Sequence, residues 1–124
     1  MTPAAQLQSL IAKFEPAVAK TARGALAKLR KQAQGATELV YDNYNALAIG
    51  FAPGEKAGAA ILSIALYPKW VTLFFLQGKG LPDPNGLLQG SGARVRHVVL
   101  AGGSSDVDRP AVRALIRAAL THAK

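Results

Sequence analysis

Five consecutive hydrogen-bonding side chains, Tyr41, Asp42, Asn43, Tyr44 and Asn45, form the densest polar cluster of the chain. Phenols, amides and a carboxylate beside aromatic walls suit the lining of a pocket for a small polar ligand. The same run also reads as a strand end and turn, where Asn and Asp bond local backbone and Tyr covers a core rim. A second candidate is Gly90-Ser91-Gly92, followed by Arg94 and Arg96, which could form a backbone nest that holds an anion beside two guanidinium groups. No Gly-Lys-Ser/Thr follows, and the segment runs into a strand, so the P-loop and the dinucleotide-binding fingerprint both fail; a plain loop is the simpler reading.

The remaining reactive side chains point away from catalysis. His97 alternates with Val95 and Val99, which predicts a hydrogen-bonded core histidine, and His122 falls in the C-terminal tail. No Cys, second His or paired carboxylate flanks either, so no metal site is assigned. Asp106 and Asp108 precede an apolar-striped helix and are expected to cap it and to complement its dipole. Ser91 and Ser104 lie outside any Gly-x-Ser-x-Gly pattern, and a triad would have to recruit one of two badly placed histidines. No catalytic residue is assigned.

The elements that must position these residues are legible from period and punctuation. Residues 3–14 and 17–33 read as two helices or one kinked helix, because Pro16 disfavours the α conformation at Glu15 yet fits a first turn. Val18, Ala22, Ala25, Leu26 and Leu29 make one apolar stripe, Lys20, Arg23, Arg30 and Lys31 fall away from it, and Gly35 supplies a stop. Leu47, Ile49 and Phe51 then alternate with Ala46, Ala48 and Gly50, and a break at Pro53 to Gly58 suits a hairpin. Ala60 to Tyr67 and Trp70 to Leu76 form the next pair, turned at Pro68-Lys69. Residues 78–93 are a long loop with a turn near Asn85 to Leu88, and Val95 to Ala101 restores a strand. Asp108, Pro110 and the stripe Val112, Leu115, Ile116, Ala119 and Leu120 signal a final helix. The expected class is α+β: an antiparallel meander at about 38–101 packed against N-terminal helices at about 3–34 and a C-terminal helix at about 108–122.

With 124 residues the chain fits a single domain over 1–124, with enough apolar content for a core. The absence of Cys excludes disulfides, thiolate nucleophiles, iron–sulfur clusters and zinc ribbons. The longest apolar runs are far short of a bilayer span, and the N-terminus lacks the charged start and apolar core of a secretory signal, so a cytoplasmic, soluble protein without membrane contact is expected. Fifteen Lys and Arg against seven Asp and Glu give a charge of +8. Lys20, Arg23, Lys28, Arg30 and Lys31, with Arg113 and Arg117 one helical turn apart, could track phosphates, but stacking platforms and nucleic-acid motifs are missing, so a solvated face is preferred.

Taken together, the helix pair, Tyr41-Asp42, Asn45-Ala46-Leu47, the strand Trp70-Val71-Thr72-Leu73-Phe74-Phe75, Leu81-Pro82-Asp83-Pro84, Leu87-Leu88-Gln89-Gly90-Ser91-Gly92 and Asp106-Val107-Asp108 before the last helix resemble the YdhG-like domain, a bacterial domain of unknown function. The resemblance covers nearly the whole chain. It implies a frataxin-like two-layer fold, and one branch of the family is linked to iron delivery for cluster and haem assembly. Iron handling would imply carboxylates on the first helices, whereas here Glu15 is their one acid against six Lys or Arg, so no ligand set transfers. The leading expectation is a non-catalytic binding module without a cofactor. It would recognise a small polar or anionic ligand, or a protein partner, through Tyr41 to Asn45 and the Gly90-Ser91-Gly92 loop with Arg94 and Arg96. The alternatives are an iron chaperone of frataxin type and weak polyanion binding, nucleic acid included, through the basic helices.

Overall fold

In the computed structural model, which describes residues 2–43, 46–53 and 60–122, the chain runs α1 (Pro3–Ile11), α2 (Pro16–Gln32), β1 (Ala36–Asn43), β2 (Ala46–Pro53), β3 (Leu62–Leu66), β4 (Val71–Phe75), β5 (Arg96–Val99) and α3 (Pro110–His122). Two short 3₁₀ segments, Gly78–Gly80 and Ser104–Asp108, flank β5. Pro16 opens α2 at its first position and Glu15 before it is extended (φ −54°, ψ 147°), so the N-terminal region is two helices and not one kinked rod. Gly35 (φ 84°) turns the chain from α2 into β1, a conformation that a side chain would strain.

The sheet is a pure antiparallel meander of order β1-β2-β3-β4-β5. Its register sets the alternate residues Leu47, Ile49 and Phe51 of β2, Leu62, Ile64 and Leu66 of β3, and Val71, Leu73 and Phe75 of β4 on one face, all of them buried. That face receives Val18, Ala22, Ala25, Leu26 and Leu29 from α2, Leu7 and Ile11 from α1, and Val112, Leu115, Ile116 and Ala119 from α3, which form one core with it. The helices therefore make a single layer, and the class is α+β as expected.

β5 departs from the expectation for His97. The pairs Leu73↔Val98 and Phe74↔His97 turn Val98 inward and His97 outward, so Val95, His97 and Val99 share the outer face. His97 is half-buried there, its ring 5.7 Å from that of Phe74, and is not a core residue. The connection 54–59 lies outside the described residues, as does the side chain of His122.

Gly24 allows the Ser104–Asp108 segment to lie against α2: a Cβ at this position would come within 2.5 Å of the Ser104 hydroxyl oxygen and 2.6 Å of its Cβ. Replacing Gly24 by Ala should therefore destabilise the fold in urea titrations, against the gain of about 1 kcal/mol expected from helix propensity alone. Removing the obstruction with Ser104→Gly in the same chain should restore that gain. Independently, Leu115, 3% exposed, anchors α3 in the common core. Leu115→Ala should cost about 2–5 kcal/mol of unfolding free energy, and an unchanged denaturation midpoint would contradict the docking of α3.

Candidate functional site

Strand order decides the fate of the expected ligand pocket. Tyr41 and Asp42 lie on β1, one edge of the sheet, while Gly90, Ser91, Gly92, Arg94 and Arg96 lie before and at the start of β5, the other edge. Four strand spacings of about 4.8 Å separate β1 from β5, roughly 19 Å. The register also aligns Tyr41 with Ala48, Ala65, Thr72 and Val99, the far end of β5 from the glycine loop. The described residues of the two segments thus lie at opposite corners of the sheet. Tyr44, Asn45 and the side chain of Asn43 lie outside the described residues; Tyr41 and Asp42 are exposed.

The glycine loop is not arranged as an anion nest. Arg96 Nη1 donates to the carbonyl oxygens of Gly92 at 2.6 Å and Val95 at 2.8 Å, so the loop offers carbonyl acceptors to the guanidinium and engages its Nη1. Gly90 (φ 118°) supplies the turn that makes this possible. Arg94 is exposed, and its carbonyl accepts from Lys79 N–H at 2.9 Å. Upstream, the Asp83 carboxylate accepts from the backbone N–H groups of Leu87 and Leu88, both at 2.9 Å, which fixes the expected turn from within.

A different arrangement of charge stands between the C-terminal part of α2 and α3. Burial of Leu26 and Leu29 leaves Lys31 and Gln32 at the rim of α2, and burial of Val112, Leu115 and Ile116 leaves Arg113 and Arg117 on an exposed flank of α3. These residues border a cleft of about 220 Å³ whose remaining lining is Ile116 and the half-buried Leu120. Lys28 is bonded to Asp108, and Arg30 holds Glu38 through two hydrogen bonds of 2.7 and 2.8 Å. Among the described residues, Lys31, Arg113 and Arg117 have no carboxylate in ion-pair contact.

Two ion pairs tie α2 to its neighbours. The hydrogen bond from Lys28 holds the Asp108 carboxyl below its usual pKa, with the positive charges of Lys28, Arg113 and Lys31 adding to the effect. Asp108 therefore ties the start of α3 to α2, where the sequence led us to expect a helix cap. Asp106 accepts from Gly102 N–H at 2.7 Å and so closes the turn after β5. On the other flank, the bond to Glu38 raises the Arg30 pKa above its ordinary value and ties α2 to β1.

A second cleft, of about 270 Å³, lies between the start of α2 and the β3–β4 turn, lined by Val18, Thr21, Lys69, Trp70 and Leu100 among others. Its one cation, Lys69, is engaged by Glu15, and the exposed Trp70 is stacked on Tyr67 with centroids 4.9 Å apart. Of the two, only the α2–α3 cleft presents unneutralised charge. Its signal in the sequence was the Arg113/Arg117 spacing; that Lys31 meets this pair is a tertiary fact. Among the described residues no three His, Asp or Glu side chains gather as a metal site, and no helix is long and apolar enough to cross a membrane. No protein-family model, curated protein or solved structure matches the chain.

The Asp108 pair has a pH signature. A carboxyl whose folded pKa is depressed stabilises the fold above its unfolded pKa, and this contribution is lost as pH falls through the folded value. Asp108→Asn should lower the urea midpoint slightly at neutral pH, and the difference from the parent should vanish once acid protonates Asp108. A difference that persists unchanged in acid would show that the ion pair is not its source.

Proposed function

We propose that this chain is a non-catalytic binding module that takes an anionic ligand, phosphate- or carboxylate-bearing, in the cleft between α2 and α3. The observation that carries this reading is the convergence of Lys31, Arg113 and Arg117 on one cleft with no carboxylate in ion-pair contact among the described residues, Asp108 being bonded to Lys28 and acting on Lys31 and Arg113 through charge alone. Three cations gathered in one cleft repel one another, and a bound anion converts that repulsion into charge-assisted hydrogen bonds. Arg113 and Arg117, four residues apart on one helix flank, suit bidentate contact with two oxygens, and Gln32 adds an amide. Ile116 and Leu120 give an apolar floor for the carbon skeleton of the ligand.

The reading is of binding and not of turnover: the described lining is Lys31, Gln32, Arg113, Ile116, Arg117 and Leu120, with no hydroxyl, carboxylate or imidazole among these residues. The ligand class is the one expected from the sequence, and its location moves from the polar run and glycine loop to the helical layer. Membership of the YdhG-like family remains part of this proposal on the motifs quoted above. The iron-handling alternative gains no support, because Glu15 and Asp108 are each engaged by a lysine.

Calorimetric titration with inorganic pyrophosphate tests the reading. Saturable binding that weakens with added salt is expected, together with amide shifts at residues 31, 113 and 117 in heteronuclear NMR. Arg113→Ala should weaken binding by about 1.5–3 kcal/mol, the worth of a hydrogen bond to a charged group, with the denaturation midpoint nearly unchanged. Affinity that is indifferent to replacing Arg113 and Arg117 together would defeat the proposal.

A further inference from the structure

The two edges of the sheet are not equivalent. At β5, residue Gln89 exchanges both backbone hydrogen bonds with His97, each 2.9 Å, so that edge is partly occupied from within the chain. At β1, eight consecutive residues pair with β2 in unbroken register, and among the described residues nothing pairs with the outer side. Native edge strands are commonly blunted by lysine, proline, a bulge or inward-facing charges; residues 36–43 contain none of the first three, and of their two inward-facing acids Glu38 is held by Arg30, which leaves Asp42 near the strand end. The helical layer does not shield this edge. Val40 faces the same side as its partner Ile49, yet Val40 is 43% exposed while Ile49 is fully buried, because α2 packs over β3 and β4. Tyr41, on the opposite face, is 46% exposed.

We infer that β1 is a docking edge for the β1 strand of a second copy, the two meeting antiparallel across a two-fold axis at Leu39. Charge argues for a second copy as the occupant. Two chains of +8 repel, and β1 is a strand without Lys or Arg that carries Glu38 and Asp42, so this edge brings no cations of the strands together. Register argues for Leu39. Continuity of the inner and outer faces requires that residues of like parity pair across the axis. Centred on Leu39, Thr37 meets Tyr41 of the other copy, Glu38 meets Val40 and Ala36 meets Asp42, a pairing of aromatic with β-branched side chains and no carboxylate against another. Centring on Val40 instead sets Glu38 against Asp42, and centring on Glu38 sets it against itself. A centre at Tyr41 shortens the ladder. Extended pairing also satisfies the free backbone groups of the edge and covers Val40 and Tyr41.

A chain without cysteine makes the test direct. Sedimentation equilibrium at rising concentration should move the mass from 12.9 kDa toward twice that value. Residues facing each other across an antiparallel pair have Cα atoms roughly 4.5–5.5 Å apart, within disulfide range, so Leu39→Cys should cross-link on mild oxidation. Tyr41→Cys should not, since the two copies of residue 41 are offset by about 13 Å along the strands. Leu39→Lys places like charges on the axis and should abolish the dimer, and mixing it with Leu39→Glu should restore a one-to-one heterodimer, which shows that both variants fold. A monomer at every concentration, a dimer indifferent to Leu39→Lys, or cross-linking at Tyr41→Cys in place of Leu39→Cys would each overturn the inference.

Discussion

Everything in this fold depends on a single parity: in β2, β3 and β4, alternate residues put large apolar side chains on one face, and on the other, Phe74 apart, small or polar ones. Leu47, Ile49, Phe51, Leu62, Ile64, Leu66, Val71, Leu73 and Phe75 cannot all be buried unless the helices gather on that face. A slip of one residue in any pair would turn a full set of these side chains outward, so the register is strongly specified. The opposite face, with Ala48, Gly50, Ser63, Ala65 and Thr72, has Phe74 as the one large apolar side chain of these three strands, against nine on the inner face, and so offers no stripe on which a second helical layer could build a core. Two layers, and the exposure of β1 beyond the cover of α2, both follow.

The second constraint is a shortage of acids. Seven carboxylates serve fifteen cations, and the folded chain places several of them at joints: Glu15 on Lys69 at the β3–β4 turn, Glu38 on Arg30 beside β1, Asp108 on Lys28 at the start of α3. These exposed and partly exposed pairs contribute little stability one by one, because solvent screens them. Their larger effect is on where charge remains. Asp83 and Asp106 are turned to backbone N–H groups in turns, which leaves Lys31, Arg113 and Arg117 facing one another across the α2–α3 cleft. Such a cluster opposes folding through self-repulsion.

The sequence disclosed the helices, the meander and the core face because each is a local periodic signal: the stripe Val18 to Leu29, the alternation Leu47 to Phe51, the stripe Val112 to Ala119. It failed where two local readings were equivalent. In β5 the set Val95, His97, Val99 and the set Val98, Leu100 are both apolar by neighbourhood, and only pairing with β4 turns His97 outward. The glycine loop looked like a donor nest because Gly permits either sense of the peptide; its backbone instead presents carbonyls to Arg96. The short helix at Ser104–Asp108 was invisible, since what holds it is Gly24 on a helix some eighty residues earlier.

The separation of the polar run from the glycine loop follows from topology alone. A meander of consecutive hairpins forces its first and last strands to opposite edges, so a polar run on β1 and a loop leading into β5 cannot line one cavity in an open sheet. The same reasoning gives each feature its proper neighbourhood. The polar run belongs to the free edge, where its alternation of Tyr41 and Asp42 bears on what can pair beside β1, and the glycine loop belongs to the edge that Gln89 closes. The cationic cleft, by contrast, lies within the helical layer, whose sequence segments are separated by the whole sheet. Residue 31 and residues 113 and 117 are brought together because α2 and α3 cover the same face, and they must cover the same face because the strands between them have only one apolar side. The site is thus a consequence of the strand parity, although none of its residues lies on a strand.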